Sequence, residues 1–101
     1  MPSTPTLGRI VHYRLCASDA ERINRRRKDA YESDAAHSQT GYVAHVGNQA
    51  VEGQEVPAVI VRVWEGGLVN LQALLDGNDT CWVTSRKEGH DVGQWSWPVV
   101  T

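Results

Sequence analysis

Between residues 57 and 85 the chain alternates three apolar, β-branched runs with two clusters of turn formers. AVIVRVW at 58–64 leads through Glu65-Gly66-Gly67-Leu68 into VNLQALL at 69–75, and Asp76-Gly77-Asn78-Asp79 then leads into CWVTS at 81–85. Val, Ile and Trp fit a pleated, half-buried surface, whereas Gly, Asn and Asp supply the backbone that tight turns need. Parallel strands need a crossover of a dozen residues or more, so connections this short impose an antiparallel meander. That one stretch constrains the fold more than anything else in the sequence.

The flanking segments are read around it. GRIVHYRLC at 8–16 is a strand, with β-branched Ile10 and Val11 and aromatic Tyr13. Ser18-Asp19-Ala20-Glu21 has the S-x-x-E form of a capping box, which predicts a helix over about 19–32 with a thin apolar stripe of Ala20, Ile23, Ala30 and Tyr31. A polar connection at 33–40, a strand at 41–46 and a loop at 47–56 closed by Pro57 follow, and Trp95, Trp97 and Pro98 make a short edge segment. The predicted fold is α+β and mainly β. It is a small curved antiparallel sheet or barrel of five or six short strands, with one amphipathic basic helix near the N-terminus. Residues 1–101 form one domain, with 1–7 as a flexible lead-in.

Charge and motifs narrow the function. A net charge of −2 over 101 residues argues against a globally basic binder of long nucleic acid. His12, His37, His45 and His90 lack metal-ligand spacing, and no nucleophile elbow, phosphate loop or dinucleotide fingerprint is present. The expectation is therefore a binding protein and not an enzyme, with no catalytic residue, no metal and no cofactor. No stretch resembles a signal peptide or approaches the ~20 apolar residues of a membrane span, so Cys16 and Cys81 are expected to be unpaired thiols inside a cell.

Two constellations carry binding chemistry. Arg22, Arg25, Arg26, Arg27 and Lys28 fall within seven positions, and the first three share one side of a helix. Such a comb holds phosphates, or else it is a solvated face kept soluble by charge. The second lies in the strands, where Arg62 and Trp64, Asn70 and Gln72, and Trp82 and Thr84 are each two apart and so share a face. A three-residue turn places Arg62 opposite Asn70 and builds a polar, aromatic-walled pocket with Arg62 at its floor. A two- or four-residue turn places Arg62 opposite Leu71 and scatters the set. The alternative to a pocket is that each polar group is merely satisfied at a sheet edge.

GRIVHY at 8–13, PAVIVRVW at 57–64, VNLQ at 69–72, LLDG at 74–77, WVTS at 82–85 and WSWP at 95–98 together resemble a family of small phage and prophage proteins. The resemblance implies viral origin and a place of action in the cytoplasm of the infected bacterial host. Phage proteins of this size fall into virion parts, inhibitors of host proteins, and sponges that sequester nucleotide signals of host immunity. On chemistry the sponge is favoured: a homo-oligomer that captures a small anionic ligand, a cyclic or ADP-ribose-type nucleotide. Arg62 would pair a phosphate, Asn70 and Gln72 would read a base or ribose edge, Trp64 or Trp82 would stack, and Thr84 would line the site. Arg25 or Arg26 would close it from the helix, within one chain or from a neighbouring copy. Competing expectations are a virion or head–tail accessory protein docking through Trp95 and Trp97, and a direct inhibitor of a host protein whose basic helix covers an acidic or nucleic-acid-binding surface.

Overall fold

Five strands and one helix account for the regular structure of the computed structural model, which describes residues 4–37 and 47–99, the side chains of 29–37 excepted. The elements are β1 (Ile10–Arg14), α1 (Ala17–His37), β2 (Glu55–Val63), β3 (Val69–Leu74), β4 (Thr80–Arg86) and β5 (Trp95–Ser96). The strands form one antiparallel sheet in the order β4-β3-β2-β1-β5. The sheet is not closed into a barrel, although the segment after β4 folds back so that Glu88 makes an isolated bridge with Trp95. The fold is thus α+β and mainly β, as expected. The anticipated strand at 41–46 lies outside the described residues. No helix among the described residues is long and apolar enough to cross a membrane.

Alternation places the core on one face. Val11 and Tyr13 of β1, Val56, Ala58 and Ile60 of β2, Val69, Leu71 and Ala73 of β3, and Cys81 and Val83 of β4 all point inward and are buried. Leu15, Ala20 and Ile23 join the same cluster, so α1 covers the inner face, while the outer face stays open. Burial of each Val, Leu or Ile side chain contributes roughly 1.5–3 kcal/mol, and Ile23 anchors a helix whose apolar stripe is otherwise thin. β2 begins at Glu55, before the anticipated start at Ala58, and includes Pro57. Pro57 is tolerated because the β2–β3 ladder begins only at Ala58, one residue later.

The helix starts earlier and ends later than the capping-box reading has it. Cys16, not Ser18, takes the cap position: its N–H donates to Asp19 Oδ2 at 3.1 Å, and its carbonyl accepts from Ala20 at 3.1 Å. The residue that reaches back is Asp19, while Glu21 turns outward to pair with Arg25 at 3.0 Å. At the other end no Gly or Pro interrupts 29–37, so the helix continues to His37 through the segment read as a polar connection. Ala30 and Tyr31 of the expected apolar stripe are among the side chains outside the described residues.

Candidate functional site

The hairpin joining β2 to β3 turns through three residues. Trp64 N–H donates to Leu68 O at 2.7 Å around Glu65, Gly66 and Gly67, and both glycines have φ near +88° (+88° and +87°), backbone that a Cβ would strain. Arg62 therefore lies opposite Asn70, and Val63 opposite Val69. Deeper in the ladder Ile60 faces Leu71, so Val61 is the extra residue of a bulge. A second bulge sits on the other side of β3. Leu71 faces Val83 and Val69 faces Arg86, which leaves Thr84 and Ser85 to share the place facing Asn70. Ser85 absorbs the kink with a left-handed φ of +56°.

Asn70 holds both irregularities. Its Oδ1 accepts from the Trp64 indole Nε1–H at 2.9 Å and from the Ser85 backbone N–H at 2.9 Å, and the residue is only 7% exposed. The Trp64 ring, fixed along its polar edge, carries the Arg62 guanidinium 4.2 Å from its centroid. Arg62 is exposed and lies on this ring, so it is not the floor of an enclosed pocket; the surface is open. Gln72 is half-buried one row away, opposite Trp82, whose indole is 58% exposed. Thr84 is exposed within the β4 bulge. Arg62, Trp64, Asn70, Gln72, Trp82 and Thr84 thus gather on or beside the outer face.

The helix arginines lie elsewhere. α1 covers the inner face, and its guanidinium groups are engaged by carboxylates. Arg22 meets Asp19 at 3.3 Å, Arg25 meets Glu21 at 3.0 Å, and Arg26 and Arg27 converge on Asp79 at 3.2 and 2.9 Å. Arg26 also donates to the Thr80 carbonyl at 2.8 Å. Within one chain, Arg25 and Arg26 are separated from Arg62 by the sheet. The sequence suggests only turn chemistry for Asp79; the signal passed over was an acidic turn in a chain whose one helix carries five basic residues within seven positions.

A second polar group, also missed in the sequence, lies under the helix N-terminus. Asp19 is fully buried, accepting from the Tyr13 hydroxyl and the Cys16 N–H, with Arg22 at 3.3 Å and Arg86 at 3.7 Å. Burial opposes its ionisation, but the Tyr13 and Cys16 bonds and the nearby Arg86 outweigh that and hold its carboxyl below the usual range. Burial and the Asp19 carboxylate together push the Tyr13 hydroxyl far upward. Arg22 donates to the Cys81 sulfur at 3.0 Å, and both cysteines are unpaired. These groups are closed on one another and join α1 to β1 and β4. Among the described residues no cluster of His, Cys, Asp and Glu is arranged to hold a metal ion.

The tryptophans offered as a docking pair are used differently. Trp95 is 1% exposed, packed edge-on against half-buried Trp97 at 5.4 Å, so it belongs to the core and presents no docking surface. The exposed indoles are Trp64 and Trp82. Comparison with known proteins finds no matching family, no similar characterised protein and no similar solved structure.

Proposed function

We propose that the protein is a non-catalytic binder of a small anionic ligand of nucleotide type, taken on the outer face of the sheet. One observation carries this reading: Arg62 has no carboxylate partner among the described residues, in contrast to Arg22, Arg25, Arg26 and Arg27. Its guanidinium lies over the Trp64 ring, 4.2 Å from the centroid, and Trp82 offers an exposed ring on the same face. A planar fork that is already oriented loses less entropy when it grips an oxyanion. An exposed indole accepts any base by stacking. Capture without conversion, combined with the phage resemblance, corresponds to sequestering a nucleotide signal in an infected bacterial cell.

Titration with ADP-ribose and with a cyclic dinucleotide, followed by tryptophan emission and Tm, tests the proposal. A saturable quench with a rise in Tm is expected for at least one of them, since a ligand at a hundred times its Kd stabilises by about 2.7 kcal/mol. No saturable change with either at millimolar concentration overturns it. The exposed Ile10 and Leu74, with half-buried Val59 on the same outer layer, favour self-association as a second property. Light scattering that returns 11.2 kDa, the mass of one chain, at all micromolar concentrations refutes it.

A further inference from the structure

We infer that the ligand's oxyanion is gripped by two residues together, the Arg62 guanidinium and the Asn70 side-chain amide, so that Asn70 is an anion-binding residue and not a reader of base or ribose. The inference rests on the reading above and deepens it. The Asn70 carboxamide is split in its use. Oδ1 is consumed by Trp64 and Ser85, each at 2.9 Å, whereas Nδ2 finds no acceptor among the described residues. The residue is more than nine-tenths buried, yet Nδ2 is not among the fully buried side-chain atoms without a partner, so it reaches the surface. Asn70 sits in the β2–β3 ladder beside the open outer surface. There its cross-strand neighbour is Arg62.

Both groups only donate, both lie on the same face, and Arg62 meets no carboxylate there. Two donors without acceptors, side by side, fit an acceptor-only group carrying negative charge, such as a phosphate. The twin bulges bring the Trp64 indole and the Ser85 N–H to the Asn70 oxygen, and neither of them uses its nitrogen. Trp64 is committed to Arg62 on its face and to Asn70 at its edge, so the free platform for a base is Trp82.

The test is a 1H–15N spectrum of the wild-type protein titrated with ADP-ribose, and separately with inorganic pyrophosphate and with adenosine. Downfield movement of the Asn70 Nδ2 resonances with ADP-ribose and pyrophosphate, but not adenosine, is the expected result. Asn70→Asp keeps an oxygen for Trp64 and Ser85 but replaces the donor with a charged acceptor. It is expected to weaken ADP-ribose binding at least tenfold while the Trp64 indole resonance stays in place. If the Trp82 indole signal shifts and saturates while Asn70 Nδ2 does not move, the anion is held elsewhere; this inference fails and the binding function stands. If no resonance on the outer face responds to any of the three, both fail.

Discussion

Arg27 closes side-on over Asp79, Nε donating to Oδ2 at 3.2 Å and Nη2 to Oδ1 at 2.9 Å. Both side chains are shielded from water, and Arg27 Nη1 also donates to the Asn48 carbonyl. One guanidinium thereby ties α1 to the β3–β4 turn and to the loop that enters β2. The approach is so close that a Cβ at Gly47 would strike the guanidinium. Arg27→Met takes the two-point guanidinium partner from a buried carboxylate, with Arg26 still beside it. The expected loss is about 3 kcal/mol, at the low end for a broken buried pair because Arg26 stays. Arg27→Lys recovers only a part, having no fork to meet both oxygens. Urea denaturation of the two variants measures both effects.

Tyr13 and Asp19 set opposite pH limits. The Asp19 carboxyl is held below its unfolded value of 3.8, so its contribution is full above that pH and is lost as pH falls through the lower folded value. Tyr13 is raised above its unfolded value of 10.0, so the unfolded chain releases its proton first and stability declines as pH rises beyond 10.0. Tyr13→Phe removes a hydrogen bond to a buried charge and is expected to cost about 1.5–3 kcal/mol at neutral pH. It also flattens the alkaline decline by up to one proton's slope, ~1.4 kcal/mol per pH unit. Denaturation midpoints of both proteins between pH 8 and 12, roughly the span over which an ordinary tyrosine titrates, read the difference.

Arg62 is expected to matter for binding and hardly at all for stability. Arg62→Ala weakens ADP-ribose binding tenfold to a hundredfold, about 1.5–3 kcal/mol, because a charge-assisted pair is removed. Its stack on Trp64 at an exposed site is worth only about 0.5–1 kcal/mol to the fold. Arg62→Lys restores part of the affinity. Arg25→Ala, whose charge already meets Glu21 on the exposed side of α1, leaves it unchanged. Calorimetric titration and Tm on the same variants separate this from a structural role, which predicts a lower Tm with unchanged affinity.

Asn70→Leu strips the acceptor from the Trp64 indole and the Ser85 N–H at once. A loss of about 1–3 kcal/mol is expected, with a red-shifted emission as Trp64 is released toward water. Asn70→Asp, which retains an acceptor, loses much less.

The cysteines are expected to differ in reactivity through burial. Cys16 is half-exposed beside Ser18, whereas Cys81 is 1% exposed beneath Arg22. Iodoacetamide should add one label to the folded protein and two in denaturant, counted by intact mass. Two labels at equal rates in the native state would contradict this packing.

The strands were legible in the sequence because alternation and turn chemistry agree from 57 to 85, and the Arg62–Asn70 pairing was one of two registers the turn allowed. The bulges were not. Nothing in Val61-Arg62 or Thr84-Ser85 marks an extra residue, since a bulge is set by what the opposing strand provides, here the Asn70 oxygen. The helix boundaries slipped because Asp19 and Glu21 are both able to reach back to a cap, and only packing of Tyr13 against Asp19 selects between them. The arginine cluster was visible, but its partners were not. Arg26 and Arg27 reach Asp79 more than fifty residues away, a distance that no local pattern spans.

β4 forms one border of the sheet, and its two ends are altered in different ways. At Thr80 the outward carbonyl is occupied by Arg26, and at Ser85 the left-handed backbone breaks the regular spacing of N–H and C=O groups. A strand from another molecule finds only the four residues from Thr80 to Val83 in regular array, too few for a durable ladder. Growth of the sheet by strand addition, the first step toward fibrils, would have to dislodge Arg26 and undo the bulge that Asn70 holds. The groups that shape the outer face therefore also help to keep the border of the sheet from recruiting other chains.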